Sequence, residues 1–515
     1  MLAFAVSLSA QQPFSSLPIV IIATDNDPST AEPSHMPVND TAKTGATMKI
    51  IYADDAATYS LADTNNPALL NYNGRIGIKT RGHTSLNSNK KSYSIETRKA
   101  DNITNNNVPL MGMPKENDWV LSALYLDNSH IRDALTYTLG RRTGRYAPRT
   151  HHCELFLNGT YQGIYMLVEK IKVDKNRVNI KKISATDTCG EALTGGYIFK
   201  ADHPDDNEPM AWTTTSHSRD YDVIYIHHYP KPEEITQQQH EYLYDYFSRF
   251  QNSLRYHDTT YALSYPSFID IPSFIDYMLV CELASNPDSY QYSTFFHKDR
   301  NGKLCAGPLW DFNLAYGNDS RGRGGYDVWQ FDNGSNTGSS FWYALFKLNN
   351  FRYRLETRWH QLTDNGPLAL ESTLALIDSL AYTVEEAAQR DRTRWNYCSD
   401  FGQSIDSLKT WIANRYAWLD LQLNLFTDIS SPSIAKPLVY PNPTDGPIHF
   451  ALPQRAYTSD RINVDIYNSI GCKVMSFSSA EHLFSEDISP LPAGLYTLLL
   501  SDCNGLLYRQ IVVKQ

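Results

Sequence analysis

Two acidic residues, Asp288 and Asp311, are spaced so that both carboxylates could act on one substrate. Asp288 follows a predicted helix in the loop SNPDSYQYS, and Asp311 follows a predicted strand pair in the segment PLWDFN. That pair turns at Asn301-Gly302, and a hairpin returns the chain close to its start, so the two acids can share a cleft. Such acids suit phosphoryl transfer, in which one accepts or orients a hydroxyl and the other holds Mg²⁺ against the phosphates. Each acid alone could instead be a helix cap or a turn former.

A glycine- and hydroxyl-containing loop, RGHTS from Arg81 to Ser85, precedes the pair Lys90-Lys91. Backbone N–H groups and a cation in such a loop could cradle phosphates, although the segment is neither a Walker A nor a GxGxxG motif. In the predicted strand that follows, Lys91 shares a face with the apolar Tyr93, whereas Lys90 does not. Lys91 is therefore the better candidate for a phosphate ligand, the alternative being a surface lysine on an edge strand.

Other polar residues have structural interpretations that compete with functional ones. Asp127 and Arg132 flank a predicted helix start, where a capping acid and a salt-bridge former are both common. Glu169 ends an apolar strand and could border a cleft or simply be solvated. The flexible basic loop RGRGG, residues 321–325, could meet phosphate or an acidic substrate, or it could be a plain surface loop.

The elements that must position these residues change in type along the chain. Short strands alternate with loops up to about residue 230, interrupted by a helix expected at 129–143, a hairpin across Asn158-Gly159 and a loop at 99–118. Helices are expected beyond that point, at 235–255, 272–285, 340–362, 367–388 and 404–425. This order predicts an α+β body of two lobes, a β-rich N-terminal part and a helical C-terminal part.

The two ends of the 515-residue chain differ from its body. Residues 1–10 are predicted to be a signal peptide, either truncated or weak, because an apolar run without a basic n-region leads to small residues before Gln11. Residues 427–436 are rich in Ser and Pro and predict a linker, and residues 437–515 alternate as in a small all-β sandwich. The net charge of −10 disfavours nucleic acid as a partner, and no apolar run is long enough for a transmembrane span.

Taken together, these motifs resemble the spore coat protein H (CotH) kinase family over about residues 17–425. The matching segments are Arg81/Ser85, Lys90–Tyr93, Trp119/Asp127/Arg132, Leu157–Glu169, Asp288 and Pro308–Phe312. The resemblance implies an atypical, protein-kinase-like fold that uses ATP and Mg²⁺ (or Mn²⁺). It implies Asp288 as the catalytic acid and Asp311 as a metal ligand. The residues that it implies for binding the cofactor are Arg81, Ser85, Lys91 and Glu169.

Two positions depart from the family pattern. Asn313 stands where a second acid is common, and Ser293 stands where an Asn is common. Both side chains can coordinate a metal through oxygen, and both are expected near Asp311, yet each removes a charge or a firm ligand. Three functions therefore stay open. The first is a kinase acting on Ser or Thr of a surface or exported protein. The second is a non-catalytic surface assembly or binding protein with the same fold, and the third is an adhesion or carbohydrate-binding protein.

The C-terminal segment resembles the sorting domain of the type IX secretion system. The resemblance rests on Tyr440–Pro443 (YPNP), IYNSIG, Leu491–Tyr496 (LPAGLY) and the closing IVVK. It implies handling by the type IX machinery, passage through the periplasm, and a final location in the medium or on the outer-membrane surface.

Overall fold

The structure is a computed structural model. It describes residues 14–30, 34–54, 56–82, 88–205, 208–216, 222–255, 265–334, 338–396, 400–428, 438–451, 461–469, 471–481, 483–502 and 505–515. The predicted signal peptide at 1–10, Ser85 and residues 429–436 of the predicted linker lie outside this set. The chain divides into two compact units. The first comprises Met1–Asp245, Asp270–Tyr343 and Thr357–Leu419, and the second comprises Tyr246–Ile269, Ala344–Glu356 and Asp420–Gln515.

The N-terminal part of the first unit is a closed barrel. Its strands and an accompanying hairpin are β1 (Ile19–Thr24), β2 (Thr44–Ile51), β3 (Leu70–Arg81), β4 (Ser92–Arg98), β5 (Val108–Leu110), β6 (Met113–Glu116), β7 (Asp118–Ser122), β8 (Thr150–Leu157) and β9 (Thr160–Glu169). The barrel order is β1-β2-β3-β4-β7-β9-β8, closed by the parallel pairing of β1 with β8. Alternate residues of β4, namely Tyr93, Ile95 and Thr97, are buried, as period-two alternation requires. The loop expected at 99–118 is wrong in part, because β5 and β6 form a hairpin there and bury Leu110 and Met113.

A second, antiparallel sheet carries the strand pair expected before Asp311. Its strands are β10 (Tyr197–Ala201), β11 (Trp212–Thr215), β12 (Asp222–Tyr229), β13 (Thr294–Lys298) and β14 (Leu304–Ala306), in the order β11-β12-β10-β13-β14. The β13–β14 hairpin turns through Asn301, whose φ of +51° is a left-handed conformation that Asn tolerates. The hairpin returns the chain, so the loops before β13 and after β14 leave the same end of the sheet.

Helices dominate the later part of the body. They are α1 (Arg132–Arg142), α2 (Gly190–Leu193), α3 (Gln237–Arg255), α4 (Tyr265–Phe268), α5 (Ile271–Ala284), α6 (Ser340–Lys347), α7 (Asn349–Thr363), α8 (Leu370–Trp395) and α9 (Phe401–Asp428). Asp270 caps α5 by accepting a hydrogen bond from the Ser273 N–H at 2.8 Å. The single helix expected at 340–362 is wrong, since α6 and α7 are separate there. None of the helices in the described residues is long and apolar enough to cross a bilayer.

The C-terminal region is all β, as expected. Its strands are β15 (Leu438–Tyr440), β16 (Pro447–Ala451), β17 (Ile462–Tyr467), β18 (Lys473–Ser479), β19 (Leu483–Asp487), β20 (Gly494–Asp502) and β21 (Gly505–Lys514). They form two antiparallel sheets, β15-β16-β19 and β18-β17-β20-β21. Buried side chains from both sheets, including Ile448, Val464 and Leu498, form one hydrophobic core. The mixed α+β class with an all-β end is thereby confirmed.

Candidate active site

Asp288 lies in the loop that follows α5. The helix ends at Ser285, which has a φ of +42° and donates its N–H back to the Cys281 and Glu282 carbonyls. The Asp288 side chain is 28% exposed, and its Oδ1 accepts a hydrogen bond from Arg323 Nη2 at 3.2 Å. Burial raises the pKa of Asp288, and the nearby Arg323 opposes that increase.

The backbone of Asp311 is held in an uncommon conformation by three hydrogen bonds. Its φ is +63°, in the left-handed region that few residues other than Gly adopt. The Asp311 N–H donates to Tyr137 Oη at 3.0 Å, and its carbonyl accepts from Asn286 Nδ2 at 3.1 Å. The next N–H, of Phe312, donates to Asp133 Oδ1 at 2.6 Å. Because Tyr137 and Asp133 are both on α1, that helix fixes the loop while the Asp311 side chain stays exposed.

The carboxylates of Asp288 and Asp311 lie close enough to affect each other. Burial raises the pKa of Asp311 to about 6, and the negative charges of Asp288 and Asp202 add to the increase. Asn286 joins the two loops, because its Oδ1 accepts from the Asp288 N–H at 3.4 Å while its Nδ2 donates to the Asp311 carbonyl. The solvent-open region that these two carboxylates share is the cleft of the candidate site.

Arg81 ends strand β3 on the Asp311 side of this cleft. Its guanidinium lies 5.4 Å from the centre of the Trp310 ring, which in turn stacks on Tyr137 at 6.2 Å. Burial lowers the pKa of Arg81, and Asp311 is the charge that most opposes the decrease. Trp310 of the PLWDFN segment thus places a cation beside the carboxylate of Asp311.

The expectation that Lys91, rather than Lys90, is the inward lysine is wrong. Strand β4 starts only at Ser92, so period-two alternation does not reach Lys90. Lys90 is fully buried and donates to Asp391 Oδ1 and to the Ile164 carbonyl, both at 2.7 Å. Lys91 is partly exposed, and its proposed contact with ATP phosphates stays a prediction.

Glu169 is fully buried at the end of β9. Its carboxylate accepts hydrogen bonds from the Arg149 N–H at 3.0 Å, from Arg149 Nη1 at 3.1 Å and from Tyr146 Oη at 3.2 Å. Arg177 Nε lies 3.9 Å away. These contacts tie the end of β9 to the segment before β8, and binding of the cofactor by Glu169 stays a prediction.

Of the remaining predicted ligands, Asn313 lies next to Asp311, and Ser293 lies directly before β13. Asn313 donates its amide Nδ2 to Asp311 Oδ1, so its oxygen would have to turn toward an ion in order to bind it. Ser293 has a φ of +49° and, among the described residues, makes no side-chain hydrogen bond to Asp288 or Asp311. Its role as a metal ligand stays a prediction.

Sequence reasoning did not single out Asp133 and Tyr137, which support the Asp311 loop. Asp133 is buried, and burial together with the Asp311 charge raises its pKa to about 8. The two side chains are four residues apart, as neighbours on one helix face are. Their spacing on the helix predicted to start between Asp127 and Arg132 was the available signal. Nothing in the local sequence indicates which distant loop that helix face contacts.

The donor set suits an ion that brings most of its own ligands. Among the described residues, no group of three or more His, Cys, Asp or Glu side chains has metal-binding geometry. Asp311 Oδ2 receives no hydrogen bond from the residues that the structure describes, and the carboxylate is exposed. Mg²⁺ binds in this way, through one or two carboxylates together with waters and substrate phosphates. Asp311 fits that role, whereas Asn313 would have to turn its amide oxygen toward the ion to act as a second donor.

Comparison with known proteins agrees with the motifs. No match to a curated protein is found. Residues 438–514 match the secretion system C-terminal sorting domain, which indicates handling by the type IX machinery and export to the surface or the medium. Residues 78–419, well over half of the chain, match the family described as CotH kinase protein. The matched segment includes Arg81, Asp288 and Asp311. The chain therefore belongs to the CotH kinase protein family.

Proposed function

We propose that this chain is an exported protein kinase that transfers the γ-phosphoryl group of ATP to Ser or Thr of a surface or secreted protein. The observation that carries the proposal is the cleft shared by Asp288 and Asp311, with Arg81 beside Asp311. The β-rich part and the helical part would correspond to the two lobes of a kinase-like fold.

Each side chain has a separate role in this proposal. ATP bound with Mg²⁺ or Mn²⁺ supplies the phosphoryl group that is transferred. Asp311 would hold the metal, Asn313 would add an oxygen donor after its amide turns, and Arg81 would neutralise phosphate charge. Asp288 would orient the acceptor hydroxyl and take its proton as the hydroxyl oxygen bonds to the γ-phosphorus, while the bond from that phosphorus to the bridging oxygen breaks and ADP leaves. The raised pKa of Asp288, caused by burial, makes it a stronger base than a solvated Asp.

A non-catalytic binding protein is the second candidate. It is favoured by Asn313, which supplies no second negative charge for the metal, and by the hydrogen bond that turns its amide N–H toward Asp311. Such a protein would bind nucleotide weakly or not at all.

Calorimetric titration of the full chain with ATP, with and without Mn²⁺, tests the binding half of the proposal. We expect Mn²⁺-dependent binding that Asp311→Ala abolishes and Asp288→Ala retains. Asp378→Ala is the matched control, because Asp378 is an exposed acid on α8 paired with Lys409. Absence of nucleotide binding by the wild type, or binding that Asp311→Ala leaves intact, would contradict the assigned site.

A further inference from the structure

Hydrogen bonds brace the basic loop that follows the Asp311 segment. Asp319 is buried, and each of its carboxylate oxygens is bonded to one arginine at 2.8 Å, Oδ1 to Arg321 Nε and Oδ2 to Arg323 Nε. The Arg323 carbonyl accepts from Gln330 Nε2 at 2.8 Å and from Asn333 Nδ2 at 3.0 Å. The flexible loop expected from the glycine content is therefore braced from both sides.

The two arginines of this loop are used differently. Arg323 is 16% exposed and spans from Asp319 to Asp288, so it fixes the candidate base in place. Arg321 is 58% exposed, and among the described residues only its Nε is bonded. Its terminal guanidinium nitrogens can form the paired hydrogen bonds that a carboxylate accepts.

The cations of the cleft fall into two groups. The carboxylates that act most on Arg81 are Asp311, Glu208 and Asp202, and Arg81 therefore belongs to the metal side. Arg323 and Arg321 are the cations that act most on Asp288. Burial raises the pKa of Asp288, and these two arginines lower it. When an acceptor hydroxyl reaches Asp288, the residues that flank it in the acceptor chain come near Arg321, whose charge acts on Asp288.

We infer that Arg321 binds a carboxylate of the acceptor polypeptide, so that the protein favours Ser or Thr flanked by acidic residues. The inference rests on the proposed kinase function, since it assigns Asp288 to the acceptor. The net charge of −10 repels an acidic segment at long range, so the preference arises from the local contact with Arg321. Arg323 is a positioning residue, because it acts through Asp288.

Two labelled peptides test this inference with the full chain. One alternates Ser and Glu, and the other has Gln in place of every Glu. We expect the Glu peptide to bind about threefold to tenfold more tightly in fluorescence anisotropy, the range of an accessible arginine–carboxylate contact. Arg321→Ala should reduce this ratio to about one, Arg321→Lys should keep part of it, and added salt should weaken it.

The control variant is Arg392→Ala, because Arg392 is an arginine of similar exposure on α8. It should leave the ratio between the peptides unchanged. Equal binding of both peptides by the wild type, or an undiminished ratio in Arg321→Ala, would overturn the inference. Peptide binding does not depend on turnover. A Glu preference without phosphate transfer would therefore contradict the kinase activity alone, and transfer without a Glu preference would contradict the inference alone.

Discussion

The carboxylate of Asp311 is crowded by other acids and still open to solvent. Its neighbours Asp288, Asp202 and Asp133 are held by separate elements, so their mutual repulsion is built into the fold. A bound cation would relieve that repulsion, which supports the proposed site for metal and phosphates. None of these neighbours is close to Asp311 in the sequence.

Metal binding should depend on pH around the raised pKa of Asp311. An ordinary Asp is ionised at pH 5.5, whereas Asp311, with a pKa of about 6, is then mostly protonated and competes poorly for a cation. We expect the Mn²⁺ affinity of the wild type to fall by up to about tenfold per pH unit below that value. Titration of the protein with Mn²⁺ at pH 5, 6 and 7.5, monitored by electron paramagnetic resonance, measures this affinity. Constant affinity down to pH 5 would contradict the assigned environment.

The substitution Asp133→Asn should stabilise the fold, and more so at higher pH. The pKa of Asp133 is raised to about 8 by burial, so ionisation favours the unfolded chain as pH rises from about 4 toward 8. Asn keeps an oxygen for the Phe312 N–H but cannot ionise. Urea unfolding at pH 5 and 7.5 should show the gain over the wild type increasing with pH. If the stability gain of the variant instead shrinks or reverses from pH 5 to pH 7.5, the fold stabilises Asp133 as an anion and the prediction is wrong.

At the scale of elements, local patterns predicted hairpins better than long-range contacts. The turns at Asn158-Gly159 and Asn301-Gly302 are where the sequence placed them, because positive φ at such residues is a local property. The burial of Lys90 could not be predicted, since its partner Asp391 lies on α8, 301 positions later in the chain. The support of Asp311 by α1 is long-range in the same way.

The buried pair of Lys90 and Asp391 should hold α8 against the barrel. Asp391 Oδ1 accepts from Lys90 Nζ at 2.7 Å and also from the Ile164 N–H of β9 at 2.9 Å. Asp391→Ala leaves a buried lysine without its counter-ion, which we expect to cost about 3–5 kcal/mol in the free energy of unfolding.

Urea denaturation measures that loss against Asp378→Ala, which breaks the exposed pair with Lys409 on the same helix. The control should cost less than about 1 kcal/mol. Similar small losses in both variants would mean that Asp391 does not anchor the helix.

At the scale of the whole molecule, the chain combines a CotH kinase domain with a sorting domain for export. The YPNP and LPAGLY motifs sufficed to predict the sorting domain. Both motifs fall within residues 438–514, which match that domain. The acceptor could not be predicted from such motifs, since in the proposed function it depends on how two separate loops present Asp288 and Arg321.

Removal of residues 438–515 should prevent export while leaving synthesis intact. In a bacterium with a type IX secretion system, we expect the shortened chain to accumulate in the periplasm and the full chain to reach the surface or the medium. Immunoblots of fractionated cells measure the distribution. Surface delivery of the shortened chain would show that the sorting domain is dispensable.

Asp288 and Asp311 are proposed to form a phosphoryl-transfer site. The most direct measurement is transfer of label from γ-³²P-ATP to a protein acceptor by the purified full chain with Mg²⁺ or Mn²⁺. We predict metal-dependent labelling of Ser or Thr that Asp288→Ala and Asp311→Ala each reduce by at least about a hundredfold, while Asp378→Ala does not. Absence of labelling, or labelling that survives both site substitutions, would contradict the claim.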